Sequence, residues 1–185
     1  MSEDVNPVRR IVAGEDENGR AVIFSDGPSP DVMIDPARPG FAATRIWATD
    51  STPAKIKGIR ESLNMAHGIE PPKLGSVCRY VTYPPEKNFV NGVSETNIRD
   101  YFAAIGSPQA CTYMPDAPHP YMQKTETLDF CYILDGEITL VLDVEEIDLK
   151  AGDTVVQRGT NHAWSNRSDA PCTIIFCQHD AAFGN

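Results

Sequence analysis

Basic residues are scarce in this chain. Its 185 residues hold 16 Lys and Arg against 26 Asp and Glu, a formal net charge of −10. Sequence-independent nucleic-acid binding needs clustered cations that release phosphate counterions, so no nucleic-acid partner is expected. The same deficit argues against an anionic membrane surface. Long apolar runs are also missing, and none approaches the ~20 residues of a spanning helix. The N-terminus, Met-Ser-Glu-Asp-Val-Asn-Pro, has neither a positive n-region nor an apolar h-region, so no secretory signal is expected. Five cysteines (Cys78, Cys111, Cys131, Cys172, Cys177) form no Cys-x-x-Cys pair, which favours reduced thiols in the cytoplasm over a disulfide framework or a zinc knot. Gly-rich phosphate loops, Gly-x-Ser-x-Gly elbows and His-Glu-x-x-His motifs are absent too. Histidine is limited to four positions, 67, 119, 162 and 179.

What is present is ordinary globular composition, 41% hydrophobic and 23% charged, long enough for one domain with its own core. Small molecules or further copies of the chain are the expected partners. Residues 1–115 carry most of the prolines, with breaks at 26–30, 36–40, 71–72 and 84–85. Between them lie short strand-like runs at 9–13, 20–25, 43–49 and 77–83, the first two flanking a longer turn as a hairpin. Ile98, Tyr101, Phe102 and Ile105 recur at helical spacing, with Ser94 as N-cap and Gly106 and Pro108 as stops, so 94–105 is expected to be one short helix.

From Thr127 onward strand and turn alternate closely: 128–134, 137–143, 145–149, 154–157, 162–165 and 172–178. Asp135-Gly136 between the first two is a strong hairpin signal, because Gly accepts the positive φ that such turns require. The pattern predicts an all-β antiparallel sandwich or barrel.

Two stretches of this half resemble the cupin superfamily. Gln123-Lys124-Thr125-Glu126-Thr127-Leu128-Asp129-Phe130-Cys131-Tyr132-Ile133-Leu134-Asp135-Gly136 resembles the first cupin motif, in which a His-x-His pair precedes an acidic residue that stands seven positions before a Gly. Asp129 and Gly136 keep that spacing, while Gln123 and Thr125 stand where the histidines are usual. Gly159, His162 and Asn166 fit the second motif, Pro-x-Gly-x-x-His-x-x-x-Asn, with Gln157 in place of Pro. The resemblance spans about residues 117–178. It implies a double-stranded β-helix, the cupin or jelly-roll barrel: a core over 116–180, an N-terminal strand-rich arm over 1–115 and one or two short helices, all one domain over 1–185. Family analogy also implies a homodimer in which the 9–25 and 43–49 runs add to a partner's sheet.

The resemblance further places Gln123, Asp129 and His162 where such proteins hold a metal. A reduced ring of this kind would hold one divalent ion (Zn, Mn or Fe) or none, since amide and hydroxyl are weak ligands. Without metal, His162 would serve as a general base oriented by Asp129. Thr125 and Cys131 continue the inward face two residues apart and are counted as substrate-facing, with packing as the alternative for Cys131. Trp164 would share the face of His162 and stack on a substrate or fill the core. Arg79 and Tyr83 share a face of their run, where Arg79 would pair with a substrate carboxylate or with a surface acid. His67, His119 and His179 are expected in exposed segments. Three functions stay open: an acid–base enzyme (lyase, decarboxylase, dehydratase or isomerase) acting on a carbonyl or carboxylate compound, a metal-dependent dioxygenase, or a non-catalytic small-ligand binder.

Overall fold

Runs of β-branched and aromatic residues, punctuated by Gly, Pro and Asp, build strands throughout the computed structural model, which describes residues 7–184. In chain order these are β1 (Arg9–Glu15), β2 (Ala21–Pro28), β3 (Val32–Ile34), β4 (Ala42–Thr49) and β5 (Ser76–Tyr83). A helix, α1 (Glu95–Ala104), follows, and then β6 (Thr127–Asp135), β7 (Glu137–Leu142), β8 (Glu146–Lys150), β9 (Thr154–Arg158), β10 (His162–Ser165) and β11 (Cys172–Asp180). The expected strands and helix all form, and β3, between the Pro-rich breaks at 26–30 and 36–40, was not anticipated. The N-terminal signal expectation falls on residues 1–6, outside the described residues. Among the described residues no helix is long and apolar enough to cross a membrane.

Two sheets make the jelly roll. One has the order β3-β4-β5-β11-β6-β9 and the other β10-β7-β8, while β1 and β2 pair separately as the expected hairpin. The larger two close on a shared core in which Val81, Cys131, Ile133 and Ile174 meet Ile138, Leu140, Leu149 and Trp164. Capping of α1 follows its sequence. The Ser94 hydroxyl accepts from the Asn97 amide at 3.2 Å and the Asn97 side chain accepts from the Ser94 amide at 3.0 Å. Ile98 and Phe102 then bury against Ile69 and Tyr121.

Topology departs from expectation in two places. Asp135-Gly136 is a corner and not a hairpin: β6 pairs with β11 and β9, whereas β7 pairs with β10 and β8. Gly136 has φ 78°, and a Cβ there would stand 2.6 Å from the Pro171 carbonyl oxygen. The Asp-Gly signal reports a local positive φ; which strand pairs with which is decided by the inward faces of two sheets. Second, the 1–115 segment is more than an arm, because β4 and β5 lie inside the six-stranded sheet. β5 runs along one side of β4, and β3 covers the other side over Ala42–Thr44.

Candidate functional site

Inward-facing side chains of both sheets leave an open space of about 60 Å³ at one end of the barrel, beneath α1 and the 35–41 strap. That volume holds roughly four waters or a small organic group. Arg79 from β5, Gln178 from β11 and Asp129 from β6 line one wall, His162 and Trp164 from β10 face them, and Gln123 completes the ring. Tyr83 lies on the wall as well, edge-on to Phe41 with ring centroids 5.5 Å apart. Gln123 reaches its place through an isolated bridge to His162, its amide donating to the His162 carbonyl at 2.8 Å.

A row of hydrogen bonds crosses three strands. Arg79 Nη1 donates to the Ile69 carbonyl at 2.9 Å and to Gln178 Oε1, and Nη2 donates to the Gly68 carbonyl. Gln178 Nε2 passes the row on to Asp129 Oδ2 at 3.2 Å. Arg79 is therefore a buried wall residue and not half of a surface ion pair; burial and the neighbouring Arg45 lower its pKa to about 10, which leaves it charged. Burial raises the Asp129 carboxyl above its usual range, against the lowering effect of Thr127, Gln178 and Arg79.

His162 has a different tether. Its Nδ1 lies 2.9 Å from the Thr160 carbonyl, which can only accept, so the proton sits on Nδ1 and the lone pair on Nε2. That Nε2 is 3.3 Å from Gln123 Nε2. Burial lowers the imidazole pKa to about 4 and keeps the ring neutral. Thr160 thus orients His162, and the expected Asp129–His162 tether is replaced by the Asp129–Gln178 bond.

Four buried polar atoms on residues of this one cavity have no protein partner: Asp129 Oδ1, Arg79 Nε, Trp164 Nε1 and Arg38 Nη2. Each unpaired group costs about 1–3 kcal/mol. All four belong to residues that line the cavity, and each atom is itself shielded from solvent.

Other sequence-predicted residues lie elsewhere. Thr125 is buried outside the cavity lining, its hydroxyl 2.8 Å from that of Thr127. The chain at 124–126 is not strand, so the two-residue alternation from Gln123 is broken before β6 starts. Cys131 does continue the Asp129 face, but one step deeper, fully buried in the apolar core with its thiol pKa pushed up by burial. Trp164 belongs to the core and also lines the cavity. His119 is buried and not on an exposed loop: Nε2 lies 3.2 Å from Glu86 and Nδ1 accepts from the Tyr121 amide at 3.1 Å. His67 is half-buried, 3.5 Å from Asp31, while His179 is exposed. Asn166 holds a turn, donating to the Tyr83 and Ala170 carbonyls at 2.9 and 2.8 Å.

Sequence reasoning missed Gln178, Arg38, Tyr101 and Tyr121, all on the cavity wall. Gln178 had a signal, as the polar end of the inward Ile174-Phe176-Gln178 face of β11. Arg38 had none beyond its Pro-rich break.

The donor set does not fit a divalent metal. It offers one imidazole nitrogen, one carboxylate tied to Gln178 and a neutral amide that faces the imidazole with its N–H, with the Arg79 cation linked into the same row. Among the described residues no three His, Cys, Asp or Glu side chains gather as a metal-ligand group.

A cupin-domain family model matches residues 110–177, the span that carries β6 to β10, most of β11 and both Asp129 and His162. The chain belongs to the cupin superfamily. This cupin is 36% identical over 132 residues to phomopsin biosynthesis cluster protein D of Diaporthe leptostromiformis, covering 70% of this chain and 66% of that protein. It is 26% identical over 163 residues to the cupin-domain-containing oxidoreductase fogC of Aspergillus ruber, covering 86% of this chain and 64% of that protein. It therefore spans just under two thirds of the length of these curated relatives. Among solved structures it resembles a Cupin 2 conserved barrel domain protein from Salinispora arenicola CNS-205, with TM-score 0.40, 14% identity and 77% of each chain covered.

Proposed function

We propose that this cupin is a small-molecule enzyme that moves a proton on a carbonyl or carboxylate compound, as a lyase, decarboxylase, dehydratase or isomerase does, without a metal. The convergence of unpaired Asp129 Oδ1, Arg79 Nε and Trp164 Nε1 on one cavity carries this proposal. Asp129 is the proton carrier. Its raised pKa makes it a stronger base than an ordinary carboxylate, and its Oδ1 has no protein partner. His162, with a pKa of about 4, stays neutral and offers its Nε2 lone pair as an acceptor beside Gln123. The Arg79 and Trp164 N–H groups supply donors for oxyanion charge that develops as the proton leaves.

The test is hydrogen exchange in D2O at the carbon next to the carbonyl of pyruvate, oxaloacetate and phenylpyruvate, followed by proton NMR. Enzyme-dependent exchange that Asp129→Asn abolishes is expected; exchange undiminished in that variant removes Asp129 as the base. Binding without exchange or conversion of any compound would leave a non-catalytic ligand binder. The oxidoreductase name of the Aspergillus ruber relative favours a second reading, a metal-dependent dioxygenase. About an equivalent of Fe or Mn in protein purified without chelator, with activity lost on its removal, would establish that one.

We also propose that the protein works in the cytoplasm as a homodimer. Five free cysteines support a reducing compartment. For pairing, the outward face of β6 and β9 exposes Phe130, Tyr132, Leu134 and Val156, an apolar surface suited to a second copy. A monomer in sedimentation equilibrium would overturn the dimer.

A further inference from the structure

Arg38 lies outside the family-matched span and outside the row that joins Arg79 to Asp129, yet it lines the same cavity. The strap that carries it is tied down at Asp35, whose carboxylate accepts from the Ala37 amide at 2.9 Å, from Arg38 Nε at 2.6 Å and from the Tyr121 hydroxyl at 3.2 Å. Three rings enclose the guanidinium, with Phe41, Tyr101 and Tyr121 centroids 3.8, 4.1 and 4.0 Å from its central carbon. It is 5% exposed and remains charged. A plug for the barrel would be built more cheaply from apolar side chains, because a buried ion pair gains little over well-packed hydrophobics. This guanidinium instead keeps Nη2 buried and without a partner, on a residue that lines the cavity. A fixed, desolvated guanidinium with a spare N–H is a receptor for a carboxylate oxygen.

We propose that Arg38 anchors a carboxylate of the substrate, so that the site selects small carboxylates with a flat apolar body seated against Phe41, Tyr101 and Phe176. This rests on the proton-transfer proposal only for what happens at the Asp129 end. Arg38 itself is a binding residue and moves no proton.

The probes are benzoate and its neutral isostere benzamide, titrated calorimetrically into the full chain. Wild type binds benzoate at least tenfold more tightly than benzamide. Arg38→Gln abolishes that preference and leaves benzamide affinity unchanged, so benzamide reports whether the cavity is still intact. Should Arg38→Gln not fold, Arg38→Lys keeps a cation for Asp35 but loses the guanidinium fork, and the preference falls at least fivefold. Equal affinity for the two probes in wild type, binding of neither, or a preference that survives in Arg38→Lys overturns the proposal. Asp129→Asn should keep the benzoate preference even as it stops exchange. A preference lost there and kept in the Arg38 variants would put the carboxylate elsewhere and overturn the proposal, while the exchange result judges the proton-transfer proposal by itself.

Discussion

The two ends of the barrel are built on the same strands and have opposite chemistry. Along the inward face of β6 the order is Asp129, Cys131, Ile133; along β11 it is Gln178, Phe176, Ile174; along β5 it is Arg79, Val81. At the floor every group is apolar and the facing residues from β7 and β8 match it. At the mouth every group is polar and joined in one hydrogen-bonded row, with Asp129 Oδ1 and Arg79 Nε left without partners. Sheet geometry treats both ends alike, so the difference lies wholly in side chains. Burial that only contributes stability at the floor is used at the mouth to shift proton affinities.

The sharpest way to break this contrast is Asp129→Asn. About a thousandfold loss of turnover is expected, the range for a positioned acid–base group. The fold should not suffer. A carboxyl whose pKa is raised on folding binds its proton more tightly in the native state, so its contribution falls as pH rises through the window above the usual carboxylate pKa. Thermal melts at neutral pH should therefore find the variant as stable as wild type or more so.

Ile174→Ala at the floor should do the reverse. It removes a fully buried side chain at a cost of about 3 kcal/mol, with a melting temperature lower by about 10 °C. Ligand binding per folded molecule should be retained, as calorimetry on the folded fraction would show.

His162 gives a pH test. Its pKa is depressed from 6.5 to about 4 in the folded protein, so the unfolded chain binds more protons between those values. Its share of stability is present above pH 6.5 and is lost as pH falls toward 4, roughly 3 kcal/mol in all. Urea melts at pH 5 and pH 7 should show a larger difference for wild type than for His162→Gln. Equal differences would mean that the ring is solvated.

Thr125→Val should matter least. The loss of one hydroxyl pair costs about 1 kcal/mol, and turnover should stay within about twofold because Thr125 is off the cavity wall. A large drop in turnover would return Thr125 to the site.

How much of this was legible in the sequence follows from how local each signal is. Strand periodicity, the Ser94 cap and the Asp129 and His162 spacings are short-range, and each appears where its residues predict. Roles were not legible, because a role depends on partners distant in the chain. Asp129 was expected to orient His162, but Gln178 comes within reach of Asp129 only through the β6–β11 register, and the Thr160 carbonyl accepts the hydrogen bond of His162 Nδ1–H. Arg38 was hidden because Pro36-Ala37-Arg38-Pro39-Gly40 carries no periodicity at all; its place is set by Asp35 and three aromatic rings.

Arg79 and Arg38 both stand before residue 110, on β5 and on the strap, while Asp129 and His162 stand inside the family-matched span. The site is thus assembled from two stretches of chain far apart in sequence. Both cupin motifs can stay intact while the 35–41 strap and β5 are rewritten. A substrate preference set by Arg38 would accordingly track the N-terminal half of the protein, outside both cupin motifs.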